Sequence, residues 1–405
     1  MLSRTARLLA FIAFSVIVLF GTNVALAQNS GGDFHNILRE KAVFDETDFA
    51  ALEQGQAVVR LLPVTDKREV AVCGLIRLQA SAEVFLRFFR ESLTRKGNPA
   101  ILEIGRFSNT PTPNDLQSLT IEDRDLEDLK ECVVGDCQLK LSAEMIERLH
   151  KEIDWQAPDY RIRATQLLKQ ILLDYVRDYL ARGDVALITY HDKSKEVRLA
   201  EEQRALMAGS TYINYVLPES RQHLNGSRKS DLSMVENAIV WSKIKFGLKP
   251  VIVINHIIVY KRGEETGPQV LVASKQIYAN HYFDSSLALM AFVNIPDASS
   301  GSYLFYENRS RADGLAGLFS KMKRRIVEDK AINSLRDILE GSKTNAQALS
   351  QMESASPGDK ESSWRGWKVR RVHVFLCLLL ITAVVALFTM GSYNWKSSLS
   401  GAAPH

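Results

Sequence analysis

The sequence predicts an α+β fold: a curved antiparallel sheet with one long C-terminal helix packed on it. Three observations predict it. A strand, a Ser-capped helix and a second strand open the body. Four consecutive strand-like runs fill the last third. A long amphipathic helix follows them, and a sheet with one apolar face needs such a cover.

The chain has 405 residues, 46% hydrophobic and 24% charged, which is globular material long enough for one large domain or two small ones. At its start, Arg4 and Arg7 precede an apolar run from Leu8 to Phe20, and Ala25-Leu26-Ala27 supplies small residues ahead of Gln28. Residues 1–27 therefore read as a signal peptide, with an uncleaved anchor helix as the alternative; either form exports the body. Residues 28–55 are polar, contain Gly31-Gly32 and read as an irregular segment.

The body spans residues 56–341. "REVAVCGLIRLQAS" reads as a strand, and Ser81 caps the helix "AEVFLRFFRESL", whose Val84, Phe85, Phe88 and Phe89 share a face. "AILEIGRFS" is the next strand, with "LQSLTI" expected to pair with it. From about 121 to 248 the pattern is mainly helical and reads as a large insertion. Its clearest helix runs from Pro158-Asp159 to Arg182 at a period near 3.6 and stops at Gly183. "DVALITY" reads as a strand and Arg198–Leu206 as a second helix. "PVIVINHIIVYKRGEETGPQVLVASKQIY" and the pair "LALMAFVNI" and "GSYLFYENR" make the four-stranded meander. A helix starting at Ser310 or Asp313 then runs to about Leu339, with Leu315, Leu318, Phe319, Met322, Ile326, Leu335 and Ile338 as its apolar face.

Residues 342–371 are rich in Ser, Ala, Gly and charge and read as a flexible tether. Residues 372–392 read as one transmembrane helix: no residue from Val374 to Met390 is charged, and tryptophans stand on both sides. Residues 393–405 form a short tail. Lys368, Arg370 and Arg371 precede the span, and the positive-inside rule would place them in the cytoplasm. Long exported segments cross largely regardless of charge, so the leader takes precedence. The expected location is a bacterial cell envelope, with the body in the periplasm and the inner membrane as partner. A cytoplasmic body is the alternative.

Of the four cysteines, Cys132 and Cys137 flank the turn Gly135-Asp136, and in an oxidising compartment they are expected to form a disulfide. No further ligands suit a zinc site, and the C-x-x-C spacing is absent. Cys73 reads as a core residue, and Cys377 falls within the transmembrane stretch.

The order of elements around the Ser81-capped helix, and from Val251 to Leu339, resembles the START-like, or helix-grip, superfamily. There a bent sheet wraps a long C-terminal helix around an apolar cavity. The resemblance covers about half of the exported body and departs from the family across the insertion. It implies an apolar or lipid-like small molecule as ligand, and a non-enzymatic binding role is the first expectation. Candidate cavity liners are Met290, Phe292, Tyr303, Phe305 and Met322, with plain core packing as the alternative for each.

Strong catalytic signatures are absent: no G-x-S-x-G, H-E-x-x-H, P-loop or G-x-G-x-x-G occurs, and no cofactor or metal is expected. His191 and Asp192 are adjacent on a strand and point to opposite faces. His256 lies among apolar neighbours. His281, with Tyr278, Tyr282 and Asp284 nearby, is the candidate general base for an alternative hydrolase-like reading. A third reading is an envelope interaction module in which the insertion docks a protein partner. The basic cluster Lys321–Arg325 reads as a solvated helix face, a lipid-headgroup contact or a partner contact. The formal charge is +4, and removing Arg4 and Arg7 leaves 49 basic against 47 acidic residues, so nucleic acid is not expected. Asn225-Gly226-Ser227 and Asn308-Arg309-Ser310 fit the glycosylation pattern.

Overall fold

The structure, a computed structural model, describes residue 38 and residues 44–93, 100–210, 233–247, 249–261, 268–294, 301–315 and 320–354. The stretches read as signal peptide, transmembrane helix and tail, with Asn225 and Cys377, lie outside the described residues. No helix among the described residues is long and apolar enough to cross a membrane.

The architecture is α+β. Its strands are β1 (Val58–Leu61), β2 (Glu69–Leu78), β3 (Ile101–Arg106), β4 (Thr189–Tyr190), β5 (Val197–Arg198), β6 (Ser233–Ile244), β7 (Val251–Lys261), β8 (Pro268–Ala279), β9 (Phe283–Asn294) and β10 (Ser302–Ala312). Eight of them form one antiparallel sheet in the order β1-β2-β10-β9-β8-β7-β6-β3, and β4 pairs with β5 alone. The register Ser302↔Leu78 to Arg311↔Glu69 binds the last strand to the first long one. The meander is thus the middle of a larger sheet.

Among the described residues the α-helices are α1 (Glu46–Glu53), α2 (Ala82–Ser92), α3 (Asp123–Lys130), α4 (Ala143–Glu152), α5 (Tyr160–Arg182), α6 (Leu199–Gly209) and α7 (Ser320–Ser354). Ser81 caps α2, its Oγ accepting from the Val84 amide at 3.2 Å. Phe85 of α2 stacks on Phe292 of β9, with ring centroids 5.2 Å apart. Burying side chains of that size contributes about 2–3 kcal/mol each. Helix α7 presents Val327, Ala331, Leu335, Ile338 and Leu339 to the same face. It lies against β2 at Gly74, where an added Cβ would stand 2.6 Å from Leu339 Cδ1 and 3.1 Å from Leu335 Cδ2.

The expectation of a single covered face is corrected by the opposite side, which is also buried. There α3, α4 and α5 pack over Trp241, Ile252, Ile254 and Tyr278. Helices α1 and α6 cover Cys73, Leu75, Leu289 and Phe305 with Phe49, Leu52, Leu206 and Met207. Every residue of β10 is buried as a result, and the strand shows no alternation of wet and dry positions. Gly183, at φ 62°, ends α5 in a conformation that costs a glycine little.

Several expectations are corrected in detail. Residues 117–121 form no strand; the partner of β3 is β6. Strand β6 lies inside the stretch read as a helical insertion, so the main sheet resumes at Ser233. "DVALITY" yields a 3-10 turn, Gly183–Ala186, before the two-residue β4. Residues 46–53 are helical, started by a capping box between Asp45 and Asp48. Strand β10 continues to Ala312, so Ser310 is in the sheet, and α7 begins at Ser320.

Helix α7 also extends to Ser354, into the stretch read as a tether. Ser342, Asn345, Ala346 and Leu349 are buried there, continuing the stripe of Leu335 and Leu339. The small polar members bond back along the helix: Ser342 Oγ donates to the Ile338 carbonyl at 2.6 Å, and Asn345 Nδ2 to the Gly341 carbonyl at 2.9 Å. Asn308 is 2% exposed within β10, which closes that glycosylation pattern to a transferase in the folded chain.

The close approach at Gly74 gives a direct test. Gly74→Val is expected to cost about 1–3 kcal/mol by forcing α7 off β2. Chemical denaturation measures it, and an unchanged midpoint would contradict the packing.

Candidate functional site

Two groups of buried polar side chains lie on the face covered by the insertion. The first surrounds His281. The turn between β8 and β9 holds it, with Tyr282 at φ 61° and its ring 5.3 Å from that of Phe246. His281 is 4% exposed and Asp125 1%. The ring Nε2 lies 3.0 and 3.1 Å from the two Asp125 carboxylate oxygens, and Nδ1 lies 3.1 Å from the Gln138 carbonyl oxygen. Asn280 Nδ2 donates to Asp125 at 3.2 Å and Lys249 Nζ at 3.3 Å. Burial pushes the Asp125 carboxyl up, but His281 and Lys249 outweigh it and hold the group below its ordinary value. Both nitrogens of His281 face acceptors within the fold, so each is engaged by a protein partner.

The second group is a chain of charges beneath α6. Alternation along β10 puts Glu307, Arg309 and Arg311 on this face. Arg309 donates to Glu307 at 2.7 Å and to Glu69 at 2.8 Å. Arg311 meets the other Glu69 oxygen through Nε at 3.0 Å and Nη2 at 2.9 Å, and reaches Glu202 at 2.8 Å. Arg68 then links Glu202 at 3.0 Å to Asp66 at 2.7 Å and Asp284 at 3.0 Å. Lys140 donates to Asp284 at 2.9 Å and to Asp192 at 3.5 Å, with its ammonium 5.2 Å from the Tyr190 ring centroid. Ser210 caps the far end, donating to Glu307 at 2.8 Å. Burial pushes the Glu307 carboxyl up in spite of Arg309 and Ser210. These bonds explain why so many charges can be buried together: each carboxylate is matched by a donor in hydrogen-bonded contact.

The other candidate histidines, His256 and His191, are occupied as well. His256 Nδ1 accepts from or donates to the Tyr179 hydroxyl at 2.8 Å, and Nε2 meets Asn237 Oδ1 at 2.7 Å. Burial, with Lys275 nearby, depresses its pKa to about 4. His191 Nδ1 faces the Thr189 carbonyl at 3.1 Å, while Asp192 turns to Lys140. In the basic cluster, Arg324 donates to the Glu69 carbonyl at 2.9 and 2.6 Å, whereas Lys321 and Arg325 are exposed.

The candidate cavity liners do not come together. Met290 and Phe292 are on the face covered by α7, opposite Tyr306 and Leu304 of β10. Tyr303 and Phe305 point to the other face, where Tyr303 donates to Glu53 at 3.2 Å. Met322 is 52% exposed. Period-2 alternation separates them, and register places Leu304 and Tyr306 where the two β10 aromatics were expected. Cys132 and Cys137 are disulfide-bonded, with Cα atoms 4.4 Å apart, and Cys73 is buried as a free thiol. Among the described residues no group of His, Cys, Asp or Glu could hold a metal ion.

Sequence reasoning missed the charge chain. Its signal was present: Glu307, Arg309 and Arg311 alternate in an otherwise apolar strand, and Glu69 opens its partner. Comparison of the chain with protein-family models, with curated proteins and with solved structures returns no match.

Two measurements check these electrostatics. Glu69→Gln strips the charge that Arg309 and Arg311 share and is expected to cost about 3–5 kcal/mol. Glu307→Gln keeps an acceptor oxygen for Arg309 and Ser210 at a carboxyl whose charge burial already disfavours, and is expected to cost less than Glu69→Gln near neutral pH. Equal losses in urea denaturation would contradict the assignment. His256 gives a pH test. Between pH 6.5 and about 4 the unfolded chain takes up a proton that the folded chain refuses. Stability therefore falls on acidification across that window, by about 3 kcal/mol from this group. His256→Gln is expected to flatten that part of the stability–pH curve, and an unchanged slope would refute the neutral ring held between Tyr179 and Asn237.

Proposed function

We propose that this chain is an exported, membrane-anchored, non-enzymatic binding protein. Its ligand is an apolar or lipid-like molecule held between the sheet and the closing helix, in a START-like, helix-grip arrangement. The observation that carries the reading is the layer formed by α7 and α2 on one face of the antiparallel sheet. There Val253, Val272, Met290 and Phe292 are buried together with Phe85 and Leu335. These side chains would supply the apolar lining that a guest between sheet and helix needs. The Cys132–Cys137 disulfide supports an oxidising compartment such as the periplasm. The C-terminal apolar stretch supplies the membrane anchor.

The hydrolase-like alternative is weakened, because both nitrogens of His281 are engaged by Asp125 and the Gln138 carbonyl. A second reading, an interaction module docking a protein partner, draws support from exposed apolar residues on the insertion. Val185 is 81% exposed, Ile162 63% and Val133 54%.

Protein purified from membranes, extracted with organic solvent and analysed by mass spectrometry, is expected to release an apolar molecule in near-stoichiometric amount. Recovery of none, with a protein partner co-purifying instead, would favour the interaction module. Protease added to spheroplasts is expected to digest the body, and its survival until detergent lysis would place the body in the cytoplasm.

A further inference from the structure

The face covered by α7 is not wholly apolar. Ser242 shares that face with Val240 and Ile244, Asn255 with Val253 and Ile257, and Ser274 with Val272. Gln276 pairs across with Asn255, and Ser274 with Ile257. Ser286, one residue beyond the paired position Lys275↔Leu287, continues the row onto β9, and its partner Ser310 carries it onto β10. Asn255, Gln276, Ser286 and Ser310 thus form a polar row across the four adjacent strands β7 to β10, and Ser242 on β6 stands beside that row, opposite Val253.

Their hydrogen bonding divides them. Ser286, Asn308 and Ser310 satisfy one another: the two Ser hydroxyls are 2.8 Å apart, Ser310 donates to Asn308 Oδ1 at 2.9 Å, and Asn308 Nδ2 donates to Ser286 at 3.4 Å. The neighbours on β6 and β8 differ. Ser242 Oγ, Ser274 Oγ and both amide atoms of Gln276 are buried and have no hydrogen-bond partner. Gln276 and Ser242 are 0% exposed and Ser274 2%. Orphaned donors and acceptors of this kind cost stability unless something fills them. An amide with both ends unused, two residues along its strand from the unused Ser274 hydroxyl, with Ser242 diagonal to its partner Asn255, calls for a group that both donates and accepts.

We infer that Gln276, Ser274, Ser242 and Asn255 form the polar floor of a binding site for an uncharged, largely apolar molecule carrying a hydroxyl or amide group. The inference rests on the binding reading above and narrows its ligand class. No charged side chain belongs to the floor, so a carboxylate or ammonium would be buried without a counter-charge. The apolar neighbours Val253, Val272, Met290 and Phe292 would take the hydrocarbon part. The hydroxyl or amide would take the Gln276 amide and the serine hydroxyls as its partners.

The test uses the full chain in nanodiscs, with empty nanodiscs as the reference. Equilibrium binding of 1-octanol, octanoate and octane is measured. The site predicts that octanol binds at least tenfold more tightly than octanoate. Gln276→Leu is expected to weaken octanol at least tenfold while leaving octane binding unchanged and the thermal midpoint equal or higher. Ser274→Ala is a milder second variant expected to weaken octanol in the same direction. Ser285→Ala, on the opposite face, should change nothing. Octanoate binding as tightly as octanol, or octanol binding indifferent to both floor variants, overturns the polar floor and leaves apolar binding standing. Failure of all three probes to bind overturns the binding reading together with it.

Discussion

The pairing of β2 with β10 is the contact on which the rest of the structure depends. It joins residues more than two hundred positions apart, from Ser302↔Leu78 to Arg311↔Glu69. Through it β1, paired with β2, is joined to the rest of the main sheet, and α2, which follows β2 directly, is set over β9. Helix α7 leaves the end of β10 and lies back on β2 at Gly74, so strand pairing and helix packing reinforce each other. Such non-local closure is costly in chain entropy and is rewarded only when the flanking layers are also in place.

The charge chain sits at one end of that same pairing. Glu69 belongs to β2, and Arg309 and Arg311 belong to β10. Arg324 of α7 reaches the Glu69 carbonyl, and Glu202 of α6 reaches Arg311 and Arg68. One carboxylate and its neighbours therefore connect both strands, the closing helix and the insertion. Apolar residues would bury more cheaply, and a wrong register would leave these charges unpaired; the chain thus favours one alignment over its neighbours. The His281–Asp125 contact does similar work for the insertion, tying α3 to the β8–β9 turn.

Much of the fold was legible because its elements carry local signals. Ser81 ahead of an amphipathic run gave α2, Gly183 gave the end of α5, and the four meander strands were bounded by turn residues. The errors have physical causes. Strand β6 holds the unbroken run Ala238–Trp241 because both of its faces are covered, so period-2 alternation was missing. The end of α7 was hidden because Ser342 and Asn345 occupy its buried stripe and bond to their own helix. The candidate liners were chosen by side-chain type, and only register could have put Tyr303 and Phe305 on the far face. The charge chain and the unpartnered atoms of Gln276 depend on long-range juxtaposition, which no local pattern encodes.

Together these features describe a sheet clasped on one face by helices α2 and α7 and on the other by the insertion. The β2–β10 pairing is the frame that holds both layers in place. Native-state hydrogen exchange tests the frame most directly. The account predicts that amides of β2 and β10 exchange together, in the slowest class, and only through global unfolding. Exchange of β2 through a low-energy local opening, while β7 to β9 stay protected, would contradict the claim that this pairing closes the fold.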